Sequence, residues 1–260
     1  MKNLNIDYHF WFKKNPYYSD TELTKEVLTG LKHAKKAGLI NRLVGNLKSS
    51  EDLVLLIKKK IKEKNNPDEY FDNDLLIIFD LIQGWGGPTG MRPYVKPKAS
   101  PSRMLKERLY ADTYRIAVEM LYRIDKEDYE YDPNIKTIKD KIEEMPFVGE
   151  SFSTKHLSFW SRNLANCPDL IIFDKKLKNI FSACNEGSEI GYKEFLESFS
   201  AEFEPDNAHG LDTFEKEAAI FAFSKNYFEN EELVLYKDER FQIKHKDEEI
   251  ARELVSNQNY

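Results

Sequence analysis

The stretch from Met145 to Phe181, MPFVGESFSTKHLSFWSRNLANCPDLIIFDKKLKNIF, constrains the fold more than any other part of the chain. An apolar turn closing on Gly149 follows one helix-forming segment, Ile135–Glu144, and precedes a second that is expected to start near Ser153. Gly149 is expected to supply the positive φ that a tight helix–helix turn demands. A short apolar approach, Leu170-Ile171-Ile172-Phe173, then ends in Asp174, which is placed to cap a third helix. Three helices with such short links point to an all-α architecture.

The rest of the chain agrees. Ser19 with Glu22, and Asp212 with Glu215, have capping-box spacing, the latter ahead of Phe214, Ala218 and Phe221. Ser50 precedes an apolar-rich helix through Ile61, and Asn73 or Asp74 caps another through Ile82. Leu105, Leu109, Ile116, Met120 and Ile124 recur at helical spacing, which predicts one amphipathic helix over Arg103–Ile124 with that face inward. Tyr192, Phe195, Leu196 and Phe199 mark a shorter helix. Leu233–Tyr236 and Phe241–Lys244 flank a turn and read as a small C-terminal β-hairpin. Gly84–Pro101 holds four Gly and four Pro residues in 18 positions, and irregular loops of that length are more often functional than idle. The expected organisation is one domain over 1–260, built as two helical lobes.

Composition removes several function classes. With 41% hydrophobic and 13% aromatic residues, the chain has the means to bury a core. Its apolar runs, such as Leu53–Ile57 and Leu75–Phe79, are too short to span a bilayer, so no membrane partner is expected. Met1–Phe12 mixes Lys, Asn, Asp and aromatic residues instead of forming a leader, which makes the cytoplasm the expected compartment. Cys167 and Cys184 are too few for a four-cysteine zinc or iron–sulfur site, and the five histidines form no HExxH pair. No metal or other cofactor is expected. A net charge of −6 argues against strong non-specific nucleic-acid binding. Met91–Arg108 nevertheless carries six basic residues, including Arg92 and Lys96, against one acid. That run is either a solvated face or a phosphate-contacting surface.

The chemistry-bearing candidates lie on the opening stretch. Backbone N–H groups at a Gly turn, joined by the start of the next helix, suit a phosphate; a plain helical connection is the alternative. Lys155 is expected on the first turn of that helix with Phe159 one turn on and Trp160 close by. A lysine among aromatics can be desolvated and so become a nucleophile, whereas an exposed one cannot. Asp174 follows 19 positions later. It reads as an N-cap, and a carboxylate fixed in that way can also stabilise a developing positive charge.

Phe147-Val148-Gly149, Lys155 and Asp174 resemble, in order, the hairpin, lysine and aspartate of the helix-hairpin-helix DNA glycosylases. Thr154-Lys155-His156-Leu157-Ser158-Phe159 and Leu81-Ile82-Gln83-Gly84-Trp85-Gly86 are similar to segments of a compact bacterial group of 8-oxoguanine DNA glycosylase/AP lyases. Phe214–Phe223 resembles that group's late helix, and the likeness covers roughly residues 75–228, with the hairpin at 145–157. The chain differs in lacking a second hairpin glycine, in placing Glu150 on the turn, and in about three extra residues before Lys155.

The resemblance implies a two-lobed fold around a base pocket and excision of an oxidised or otherwise modified base from double-stranded DNA. Lys155 would attack C1′, Asp174 would stabilise the transition state, and a Schiff base would permit strand cleavage. Phe147, Val148, Gly149, Ser151, Arg92 and Lys96 would contact DNA; Gln83, Trp85, Phe159 and Phe223 would line the pocket. Members of the group occur in antiviral operons, which implies a defence role and partner proteins from such an operon. The alternatives are a catalytically silent nucleic-acid-binding or interaction module on the same scaffold, or an enzyme acting on a modified nucleoside, tRNA or protein-linked base.

Overall fold

The computed structural model describes residues 6–18, 23, 27–29, 31, 43–87, 103–124, 133–145, 148–184, 190–202 and 208–228. Within these, side chains are described except at 103–109, 133, 182–184, 198, 200–202 and 226–228. The regular structure among the described residues is helical: α1 (Tyr8–Lys14), α2 (Ser50–Lys62), a 3-10 turn (Pro67–Glu69), α3 (Asp72–Trp85), α4 (Arg103–Tyr122), α5 (Pro133–Glu143), α6 (Glu150–Ser161), α7 (Lys175–Cys184), α8 (Tyr192–Glu202) and α9 (Thr213–Phe228). The Ser19–Glu22 box, the C-terminal hairpin, Phe147, Arg92, Lys96 and the loop beyond Gly87 lie outside the described residues. No described helix is long and apolar enough to cross a membrane.

The chain divides into two compact units, one comprising Met1–Asn15 with Phe173–Tyr260 and the other Pro16–Ile172. In the first unit α1 packs along α9, and α9 also meets α7. Trp11 sets its ring edge against Phe223 (centroids 5.5 Å apart), and the Asn15 amide donates to the Ala218 carbonyl at 2.7 Å. The Asp212–Glu215 box closes as expected: each carboxylate accepts the other residue's backbone N–H, at 2.8 and 2.9 Å. Phe173, Phe181, Phe195 and Phe199 form this unit's aromatic cluster, with Phe195 within 4.7 Å of Phe173 and 4.6 Å of Phe181.

In the second unit α3 is nearly encased, meeting α2, α4 and α6. Every residue from Leu75 to Trp85 except Ile77 is buried, as a helix that is apolar on nearly all sides requires. Its start is framed by Asp74, whose carboxylate accepts the Phe71 N–H, so Asp74 acts from the third helical position and not as the cap itself. Its end is set by Gly87, whose φ of 83° is available to glycine and strained for other residues. Gly84 and Trp85 therefore belong to the helix and not to the loop. In α2, Ser49 and Asp52 make a reciprocal capping box, and Leu53, Ile57 and Ile61 turn inward. Burying each such side chain contributes about 1.5–3 kcal/mol.

The long helix α4 forms but ends at Tyr122, and from Tyr110 on, where its side chains are described, its inward face differs from the expected one. Ala111, Tyr114, Ala117, Val118 and Leu121 are buried, while Ile116 is 43% exposed. The i, i+3, i+7 pattern is genuine but rotated, and two alanines lie on the buried face. A second correction concerns the turn before α6. The helix opens at Glu150, not near Ser153, which puts Lys155 in its second turn. Gly149 is its extended N-cap at φ −105°, so this glycine is not left-handed.

Candidate functional site

Gly149 has no side chain with which to cap α6; its carbonyl accepts from the N–H groups of Phe152 and Ser153 at 2.8 and 3.0 Å. A Cβ at this position would meet nothing within 4 Å, so the corner does not depend on glycine for space. A polar brace between α5 and α6 holds it instead. Ser153 Oγ donates to Glu143 Oε1 at 2.7 Å, and Lys139 pairs with the same oxygen at 2.8 Å. Lys139 also lies 3.9 Å from Glu150, which neutralises part of the acid on the turn. Val148 packs inward at 6% exposure.

From Phe152 to the end of α6 at Ser161, Lys155 alone is not buried. Ser151, one turn earlier, is also half-exposed, and the pair shares a face because residues four apart stack on a helix. Side chains on a helix lean toward its N-terminus, and Lys155 does so. Its Nζ donates to Ser151 Oγ at 2.7 Å and to the Ser151 carbonyl at 3.2 Å, and sits 4.7 Å from the centre of the Phe152 ring. The amine is thus presented through a narrow window on an otherwise enclosed helix.

Two residues behind this arrangement escaped sequence reasoning. Phe152 forms the apolar bed beneath the amine, and Gly86 makes space for Phe152: a Cβ on Gly86 would come within 2.3 Å of its ring. Gly86 has an ordinary helical φ of −69°, so its requirement is steric and not conformational. The Trp-Gly-Gly run was the available signal, and the helix C-terminus conceals its second purpose.

Behind Lys155, α6 carries a buried polar relay. Trp160 Nε1 donates to the Tyr114 hydroxyl at 2.7 Å, and that hydroxyl lies 2.8 Å from His156 Nδ1. An indole N–H can only donate, so the Tyr114 oxygen accepts from Trp160, and the direction of its bond with Nδ1 follows the tautomer of the His156 ring. Phe79 stacks on the imidazole at 4.7 Å. Burial, with a smaller contribution from the neighbouring Lys155 charge, pushes the His156 pKa down to about 3, so the ring is neutral. The same burial raises that of the Tyr114 phenol. His156 Nε2 and Gln83 Oε1 are both buried without a hydrogen-bond partner among the described residues.

Among the expected pocket residues, Gln83, Trp85 and Phe159 share the second unit with Lys155, and Phe223 belongs to the first. Trp85 donates from Nε1 to the Tyr17 carbonyl at 3.1 Å and meets Phe159 edge-on at 5.0 Å. Phe159 also carries the Arg162 guanidinium, 5.1 Å from its ring centre. Both rings are buried, at 4% and 0% exposure, so in this arrangement they serve as core aromatics.

Asp174 lies in the first unit and opens α7 as the sequence predicts. Its Oδ1 accepts the N–H groups of Lys176 and Leu177 at 2.9 and 3.0 Å. Its side chain is half-exposed, which leaves the carboxylate reachable. No group of His, Cys, Asp or Glu among the described residues is arranged to hold a metal ion. No protein-family model, curated protein or solved structure matches the chain.

Proposed function

We propose that this chain is a base-excising DNA enzyme of the helix-hairpin-helix glycosylase kind, working through a lysine Schiff base. The observation that carries the reading is the presentation of Lys155: a single amine, held over Phe152 and Ser151, in the one window of an enclosed helix that follows a short corner. A neutral amine there attacks C1′ of a flipped nucleotide and displaces the base, and the ring-opened sugar forms the imine from which β-elimination cleaves the strand. The Asp174 carboxylate, fixed by two backbone N–H groups, stabilises the oxocarbenium-like charge as the base departs. The substrate class is an oxidised or otherwise modified base such as 8-oxoguanine in duplex DNA, and the setting is antiviral defence with partner proteins.

The test is borohydride trapping on oligonucleotides bearing 8-oxoguanine, other damaged bases, phage-type modified bases or none. The expected result is a covalent adduct on one class, lost in Lys155→Gln. A second reading, a silent binding module on the same scaffold, is favoured by the burial of Trp85 and Phe159. Duplex binding that Lys155→Gln leaves unchanged, with no adduct and no base release on any substrate, would establish it in place of the first.

A further inference from the structure

We infer that Ser151 is the positioning residue of Lys155, its hydroxyl fixing the amine. The inference rests on the reading of Lys155 as a nucleophile, but its first support is geometric. Ser151 Oγ lies 2.7 Å from Nζ, and the Ser151 carbonyl, 3.2 Å away, fixes the direction of a second N–H. Phe152 closes the underside at 4.7 Å. Two anchors one turn away and a ring beneath hold a flexible four-carbon chain in one place, which removes rotamer freedom before any substrate arrives. The serine is also the only other half-exposed side chain on α6 beyond Glu150.

Sequence reasoning gives Ser151 to a DNA phosphate; here its oxygen is already committed to Lys155.

The experiment compares wild type, Ser151→Ala and Ser151→Thr in two assays on the full chain. Alanine is the better helix former at this position, so the fold is retained. Trace acylation with acetic anhydride, read by mass spectrometry, reports the reactivity of Lys155 against the exposed Lys175 of the same molecule. Borohydride trapping on an oligonucleotide with an abasic site reports productive geometry. Ser151→Ala is expected to raise acylation of Lys155 about fivefold, as loss of one hydrogen bond implies, while trapping falls by a similar factor; Ser151→Thr restores both. A general loosening of the helix would move both assays the same way, and threonine would not rescue it. Unchanged acylation in Ser151→Ala, or failure of threonine to restore it, overturns the inference. Absence of an adduct even in wild type would sink the glycosylase reading, while the acylation series still decides whether Ser151 holds the amine.

Discussion

Acidification offers a direct test of the buried relay behind Lys155. His156 is fully enclosed, stacked on Phe79 and hydrogen-bonded to Tyr114, with its pKa lowered from 6.5 to about 3. In the unfolded chain the ring takes up a proton below about pH 6.5, while in the folded chain it does not until about pH 3. Between those values the unfolded state binds more protons, so stability falls as pH falls through the window and is unaffected above it. From pH 7 to pH 5 this one group costs about 2 kcal/mol. Any folded-state value below about 4 gives the same figure, since at pH 5 the folded ring is neutral either way. The assay is urea unfolding followed by tryptophan emission in a Trp11→Phe background, which leaves Trp85 and Trp160, both in the second unit, as reporters. With a slope of about 2 kcal/mol per molar urea, the midpoint should drop by about 1 M. Carboxylates contribute their own acid sensitivity, so the decisive quantity is the difference from His156→Gln, whose amide is able to donate to or accept from Tyr114 but does not titrate. Equal losses in the two proteins would refute the argument that a neutral buried imidazole underlies the effect.

Gly86→Ala should lower stability by about 1–3 kcal/mol, because its Cβ would be driven to within 2.3 Å of the Phe152 ring; urea midpoints check this. The same substitution displaces the bed of Lys155 and should reduce Schiff-base trapping, whereas a Gly149→Ala change, with nothing within 4 Å, should leave trapping nearly unaltered. Asp174→Ala removes the cap of α7 and should cost about 1 kcal/mol. Asp174→Asn keeps the cap but not the charge, so it should unfold like wild type while base release slows; full turnover in that variant would remove the carboxylate from the mechanism.

The helices were legible where capping and apolar periodicity agree. Asp212 with Glu215, and Asp174 ahead of α7, are local devices, satisfied within a few residues, and each sits where its spacing placed it, whereas the cap of α2 is Ser49, with Asp52, and Ser50 is already helical. The inward face of α4 was not legible in the same way. Ile116 and Met120 outweigh Ala111 and Ala117 by hydrophobicity, yet both alanines are buried and Ile116 is left exposed. That choice depends on neighbours far along the chain. Gly149 misled for a related reason: glycine permits a left-handed turn without requiring one, and here the extended conformation suffices.

The helix that bears Lys155 shows most clearly why a site is harder to read than a fold. By composition α6 is polar, with Ser153, Thr154, His156, Ser158 and Ser161 among its twelve residues, and polarity predicts exposure. All five are buried because each finds a partner close by: Ser153 on Glu143, Thr154 on the Glu150 carbonyl, His156 on Tyr114, Ser158 on Arg162, and Ser161 on Leu170. Hydroxyls of this size can turn back onto the helix or reach a single neighbour, so their burial costs little. Lysine cannot do the same with its charge, and Lys155 keeps its window. An exposed lysine on an exposed helix signifies nothing. The same side chain as the main opening in a closed one is an address, and only three-dimensional structure distinguishes the two.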